Sequence, residues 1–241
     1  MSPDGPLLSI VLPTYNESAN IAAAIEKLSA ALRDIPYEIL VADDDSPDRT
    51  WRIVERIGAR SPEVRLLRRF GKRGLYPAVA EAFGAASGTF LAVMDADLQH
   101  DETILPAMLE ALRGGCVLVV GSRHAEGGGV ENWNVFRRMM SRAGNALVSL
   151  LLGTPVRDPL SGFFMIDRAA YEKIAHELRP RGFKILMDVL RCLPPGARVR
   201  EIGYVFKPRR AGRSKLGARV AAEFLVALWE AAGGRLKRRR P

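Results

Sequence analysis

Residues 89–100 read Thr-Phe-Leu-Ala-Val-Met-Asp-Ala-Asp-Leu-Gln-His. The first six form a short apolar run, the pattern of a strand buried on both faces. Asp95 and Asp97 stand one residue apart at its end. Two carboxylates so placed repel each other unless a cation meets them. Mg²⁺ or Mn²⁺ carrying a diphosphate is the natural partner, because hard ions take oxygen ligands and share them with phosphate.

Outward from this run, apolar stretches and amphipathic segments alternate. Strands are expected at 7–12, 38–42, 64–67, 89–94 and 116–120. Helices are expected between them. The helix over 18–32 turns Ile21, Ile25, Leu28 and Leu32 to one side, and the helix over 75–86 turns Val79, Ala82 and Phe83 inward. Trp51, at helical spacing with Val54 and Ile57, is expected in the core. Beyond 120 the pattern loosens: a Gly-rich loop at 125–130, a helix over 136–152, strands at 163–166 and 199–206, and helices over 171–178, 183–192 and 220–232. The βαβα order implies an α/β fold, a mainly parallel sheet covered on both faces. One domain over 1–217 is expected, followed by an amphipathic helix and basic tail over 218–241.

Composition narrows the class. The chain has 241 residues, 48% hydrophobic and 26% charged, an ordinary globular balance. Cys116 and Cys192 lack ligand-like spacing, which points to reduced core thiols and a cytosolic setting. Residues 1–6 carry no positive leader before an apolar stretch, so no signal peptide is expected. The longest uncharged stretch, 143–156, is interrupted by Gly144, Gly153 and Pro155 and falls short of the roughly 20 apolar residues of a spanning helix. The net charge is +9, with basic clusters at 65–73, 207–219 and 235–240. Such clusters attract nucleic acid, anionic lipid or phosphorylated substrates, and charge alone does not choose among these.

Ligands of an open parallel sheet sit at the carboxyl ends of its strands. Three polar clusters fall there: Pro13-Thr-Tyr-Asn-Glu17, Asp43-Asp-Asp-Ser-Pro-Asp48 and Asp95-Ala-Asp-Leu-Gln-His100. Asp48 is read as a helix cap, and Asp44 as the functional member of its cluster.

In this order the three clusters resemble family-2 glycosyltransferases of the GT-A fold, a Rossmann-like architecture. Within that family the chain is most similar to the dolichol-phosphate or polyprenol-phosphate mannose synthases. Further matches are Gly121-Ser-Arg123, Arg137 with Ser141 and Asn145, Asp158-Pro-Leu-Ser-Gly162, Lys184, and Phe206-x-x-Arg209-x-x-Gly212-x-Ser214-Lys215-Leu216. The resemblance implies that Pro13, Tyr15 and Glu17 frame the nucleoside, with Ala42 and Asp44 closing around base and ribose. It implies that Asp95 and Ala96 touch the nucleotide-sugar, and that Asp97 and Gln99 hold Mg²⁺ or Mn²⁺. Arg123, Lys184 and Arg209 would bind donor or acceptor phosphates, and Arg137 and Ser141 the acceptor phosphate. Asp97, Arg123, Arg137, Ser141 and Arg209 are thus the residues expected to carry catalysis.

The implied reaction moves mannose, with inversion, from GDP-mannose to a polyprenyl phosphate. The setting is peripheral, at the cytosolic face of a membrane, with a small membrane protein as a further expected partner. Such an acceptor is already ionised near neutral pH, so none of His100, His124 and His176 need be a catalytic base. Two features depart from the family pattern. Relatives often carry Gly-Leu-Gly where this chain has Gly74-Leu75-Tyr76-Pro77, which places the shape of the donor pocket in question. Many also carry spanning helices after the Ser-Lys-Leu motif, where only 220–232 and the tail stand here. For the 220–232 helix, docking on the domain and lying on a membrane surface stay open. Another donor such as UDP-glucose, another acceptor, and a binder without turnover are the alternatives within the class. A nucleic-acid module is disfavoured, because the basic groups lack interleaved aromatics and no known binding motif appears.

Overall fold

The computed structural model describes residues 5–71, 74–179 and 185–209. Lys184, the Ser214-Lys215-Leu216 motif and the expected helix over 220–232 lie outside these residues.

The first half alternates as expected: β1 (Leu8–Thr14), α1 (Ile21–Ala31), β2 (Tyr37–Asp43), α2 (Thr50–Gly58), β3 (Val64–Arg68), α3 (Leu75–Ala85), β4 (Phe90–Val93), α4 (Leu105–Arg113) and β5 (Leu118–Ser122). A short 3₁₀ turn, Glu102–Ile104, precedes α4, and the Asp101 side chain caps it by accepting from the Thr103 amide. The second half adds β6 (Gly129–Val130), α5 (Val135–Leu152), β7 (Phe164–Asp167), α6 (Arg168–Ala175), α7 (Ile185–Cys192), β8 (Val199–Gly203) and β9 (Val205–Phe206).

Among the described residues, seven strands form one sheet in the order β3-β2-β1-β4-β7-β5-β8, and β6 pairs with β9 in a second, two-stranded sheet. Strand β7 runs antiparallel to its neighbours β4 and β5. The chain steps outward from β1 to β2 and β3, then returns to β4 on the other side of β1. The strand order reverses there, and a crevice opens at such a reversal. Register carries the polar clusters to one edge: Pro13 lies opposite Ala42, Thr14 opposite Asp43, and Asp43 opposite Arg68.

Alternate side chains of the central strands enter two cores. Leu8, Ile10 and Leu12 pack on one face with α1 and α4, and Val11, Leu40 and Val93 on the other with α3 and α7. Burial on both faces explains why these strands read as unbroken apolar runs.

Two expectations are corrected. The single strand at 199–206 is broken at Tyr204, and its end pairs with β6 instead of the main sheet. Gly203 permits the close approach this requires: a Cβ there would stand 2.0 Å from the Glu126 carbonyl oxygen. Trp51 is only half-buried and lies under the Arg68 guanidinium, 3.5 Å from the ring centre, instead of entering the core. Edge strand β3 offers it a cation to lie against. Phe83 is buried as expected.

Candidate functional site

The carboxyl edge of β1, β2 and β4 collects the acidic clusters, each held differently. Asp43 is fully buried and accepts hydrogen bonds from the Thr14 hydroxyl and from the amide and hydroxyl of Ser46. It ties the β1 and β2 loops together. Asp48 accepts from the Ser18 amide and from the amide and hydroxyl of Thr50. Burial pushes its carboxyl up, but these donors outweigh it and hold the group below its ordinary value. Asp44 accepts from Arg69 and from the Gly74 amide. Arg69 is itself buried, also reaches Glu81 at 3.1 Å, and its Nη2 has no partner among the described residues.

Around these, Pro13 and Tyr15 are half-buried, whereas Glu17, Ala42 and Ala96 are buried. Glu17 accepts from the Asn20 side chain at 2.8 Å. The Asn16 backbone has a positive φ of 57° and donates its amide to the Ser46 hydroxyl.

Asp97 is 4% exposed. The Arg209 Nη2 donates to its Oδ2 at 2.6 Å, so a cation does meet this carboxylate. Leu98 takes a positive φ of 63°, rare for a branched side chain, and brings the Gln99 amide within 3.2 Å of Asp97 Oδ1. Gln99 Nε2 donates to the Lys207 carbonyl, and the Lys207 amide donates to the Gln99 carbonyl. With its amino group so used, Gln99 keeps Oε1 for an electropositive partner. The Asp97 carboxylate and the Gln99 amide oxygen are the kind of oxygen donors that a hard divalent ion takes. Among the described residues no group of three or more His, Cys, Asp or Glu could hold an ion.

Arg123 follows β5. Its Nε and Nη2 donate to Asp158 at 2.8 and 2.7 Å, and its backbone amide to the same carboxylate at 3.0 Å. Asp158 is fully buried. Burial pushes its carboxyl up, but the Arg123 guanidinium and amide outweigh this and hold it below the ordinary range. Glu201 in turn accepts from the Arg157 and Asp158 amides. The arginine is therefore fixed, with Nη1 outside the ion pair. In the sequence Asp158 stands out only as part of the Asp158-Pro-Leu-Ser-Gly162 segment, and its role as the Arg123 anchor is not legible from spacing.

Helix α5 begins at an Asn134 cap that accepts from the Arg137 amide. Arg137 is exposed and lies over the Trp133 ring at 4.1 Å. Trp133 meets Phe206 edge-on at 6.0 Å, which links this helix to β9. Ser141 Oγ is 3.5 Å from His124 Nε2. Burial, with Arg123 and Arg142 nearby, holds His124 below its ordinary value. The opposite side of α5 carries Val135, Phe136, Met139, Met140, Leu147 and Leu150, which are 47–73% exposed. Asn145 and Val148 face the protein. The sequence signal for that face was present in the spacing of its apolar residues, but the same spacing describes a helix turned toward a core.

Three members of the first basic cluster are neutralised within the fold: Arg65 by Glu38, Arg68 by Asp45, and Arg69 by Asp44 and Glu81.

The fold is an α/β architecture with a polar edge at its strand-order reversal, and comparison with known proteins gives the family. The profile of glycosyl transferase family 2 matches residues 9–175, and the chain belongs to that family. The dolichol-phosphate mannosyltransferase of Pyrococcus furiosus is 39% identical over 220 residues, which cover 90% of this chain and 61% of that protein. The chain therefore spans less than two thirds of that relative. The dolichol-phosphate mannosyltransferase of Saccharomyces cerevisiae is 32% identical over 231 residues, 92% of this chain and 85% of that protein. Glucosyl-3-phosphoglycerate synthase of Mycobacterium tuberculosis, solved in complex with Mn²⁺, uridine diphosphate and glucosyl-3-phosphoglycerate, shares the fold. Its TM-score is 0.69 at 21% identity, covering 95% of this chain and 81% of that one. No helix among the described residues is long and apolar enough to cross a membrane.

Proposed function

We propose that this chain transfers mannose from GDP-mannose to a polyprenyl phosphate, with inversion, while docked peripherally on the cytosolic face of a membrane. The observation that carries the choice of acceptor is α5. One side of that helix presents large apolar side chains to solvent, and its first turns carry Arg137 and Ser141. A lipid phosphate needs both features together, whereas a small water-soluble acceptor needs no apolar surface. The names of the relatives from Pyrococcus and yeast support the same reading.

Pro13, Tyr15, Glu17, Ala42 and Asp44 frame the nucleoside in this account, and Asp95 and Ala96 contact the sugar nucleotide. Asp97 and Gln99 would hold Mg²⁺ or Mn²⁺. The ion supplies neutralisation of the charge that builds on the diphosphate as it leaves. Arg123, Lys184 and Arg209 add charge against the donor phosphates, and Arg137 and Ser141 hold the acceptor phosphate. An acceptor phosphate oxygen forms the new bond to the anomeric carbon as the bond to the diphosphate oxygen breaks. That oxygen carries no proton to remove, so the site needs no base. Positioning and electrostatics supply the acceleration. A small membrane protein as an additional partner fits the same surface.

A panel of radiolabelled sugar nucleotides with a short polyprenyl phosphate tests the reading. Label from GDP-mannose is expected in the lipid phase, and Asp97→Ala is expected to remove turnover while staying folded by circular dichroism. Preferential transfer from UDP-glucose would move the assignment to the alternative donor. Full activity in Asp97→Ala would overturn the account of the site.

A further inference from the structure

His100 is a buried polar group with no acid or base role in the proposed reaction. Its side chain is 3% exposed. Phe163 and Phe206 stand edge-on to the ring, each at 5.4 Å, and fix its orientation. Its Nδ1 lies 2.6 Å from the Tyr204 hydroxyl, and its Nε2 lies 3.4 Å from Asp95 Oδ2.

The chemistry of these neighbours decides where the ring proton sits. Tyr204 is buried, and burial pushes its phenol well above the ordinary value, so it keeps its proton. A hydroxyl that keeps its proton can donate to the Nδ1 lone pair, which leaves the ring hydrogen on Nε2. That N–H faces a carboxylate, a charge-assisted contact. The opposite tautomer would turn a lone pair toward the carboxylate, which is repulsive. The distance of 3.4 Å is at the long limit for such a bond, as is common before a ligand closes a site. On another side of the same oxygen stands Gly162, where a Cβ would be only 3.1 Å away. Asp95 Oδ2 is thus bounded by a hydrogen-bond donor and by a backbone with no side chain.

We propose that His100, held by Tyr204 with its proton on Nε2, is a positioning residue that aims the Asp95 carboxylate at the sugar nucleotide. This rests on the reading that Asp95 contacts the donor. It accounts for the buried His-Tyr pair, for which positioning of substrate phosphates gives no reason.

Two measurements test it. Long-range ¹H–¹⁵N NMR on histidine-labelled protein at pH 7.5 reports the tautomer without any ligand. The chain has three histidines, and His100→Gln assigns the signal by its loss. A proton on Nε2 is expected, shifting toward a tautomer mixture in Tyr204→Phe. A ring with no proton on Nε2 would overturn the proposal. Calorimetry of GDP-mannose with Mn²⁺ then reads the consequence. Tyr204→Phe and His100→Phe should weaken donor binding by about tenfold or more, as loss of other outer hydrogen-bond partners does. His100→Gln, whose amide can restore one donor to Asp95, should bind more tightly than His100→Phe. Donor binding in Tyr204→Phe equal to wild type would also overturn it. Should His100→Phe fail to fold, the tautomer and Tyr204→Phe remain decisive. Wild type that binds no sugar nucleotide counts against the proposed function, whereas the tautomer result judges this inference alone.

Discussion

Arg123 and Asp158 show how single residues divide between chemistry and support. The sequence singles out the arginine, because a cation at a strand end is easy to read as a phosphate ligand. Its anchor lies 35 residues away in sequence and becomes visible only when β5 and the segment ahead of β7 are adjacent. Breaking a buried ion pair from one side costs about 3–5 kcal/mol, because the remaining charge is stranded. Asp158→Asn is therefore expected to lose roughly that much stability in urea unfolding at pH 7. The pH dependence has a definite sign. The folded Asp158 carboxyl is held below its ordinary value, so its contribution is complete above the unfolded pKa of about 3.9. It disappears as pH falls through the depressed folded value. Asp158→Asn should remove that part of the acid destabilisation. An unchanged acid profile in the variant would show that the pair does not carry it.

Among elements, the strands were the most legible. Central strands buried on both faces leave apolar runs, and the polar clusters that follow them mark the carboxyl ends. Strand 199–206 was misread because its break at Tyr204 depends on backbone crowding between Gly203 and Glu126, which leaves no hydrophobic signature. The direction of α5 was also hidden. Periodicity identifies a helix with an apolar side, but not whether that side meets protein, lipid or water. Met139→Glu places a charge in the middle of this face. It is expected to reduce vesicle binding, since burying one such side chain is worth about 1.5–3 kcal/mol and a carboxylate reverses the gain. Turnover should fall with a long-chain acceptor embedded in vesicles and be retained with a short, water-dispersed one. Equal loss with both acceptors would place Met139 in folding or chemistry instead of docking.

At the scale of the whole molecule, the strand order converts three sequence clusters into one site. The reversal between β1 and β4 opens the crevice, and register brings Thr14, Asp43 and Arg68 level at its rim. The acidic edge was legible because carboxylates at strand ends are costly without a partner. The cations that meet them were less so: Arg69 and Arg209 read in the sequence as members of basic patches, yet Arg69 pairs with Asp44 and Glu81 and Arg209 with Asp97. The central claim is that this edge captures a sugar nucleotide through a divalent ion beside Asp97. Calorimetric titration of GDP-mannose into wild type and Asp97→Ala, with Mn²⁺ and again with EDTA, tests it most directly. Uptake that requires Mn²⁺ and is lost in Asp97→Ala is the predicted result. Uptake indifferent to both EDTA and the substitution, or no uptake of any sugar nucleotide, would contradict it.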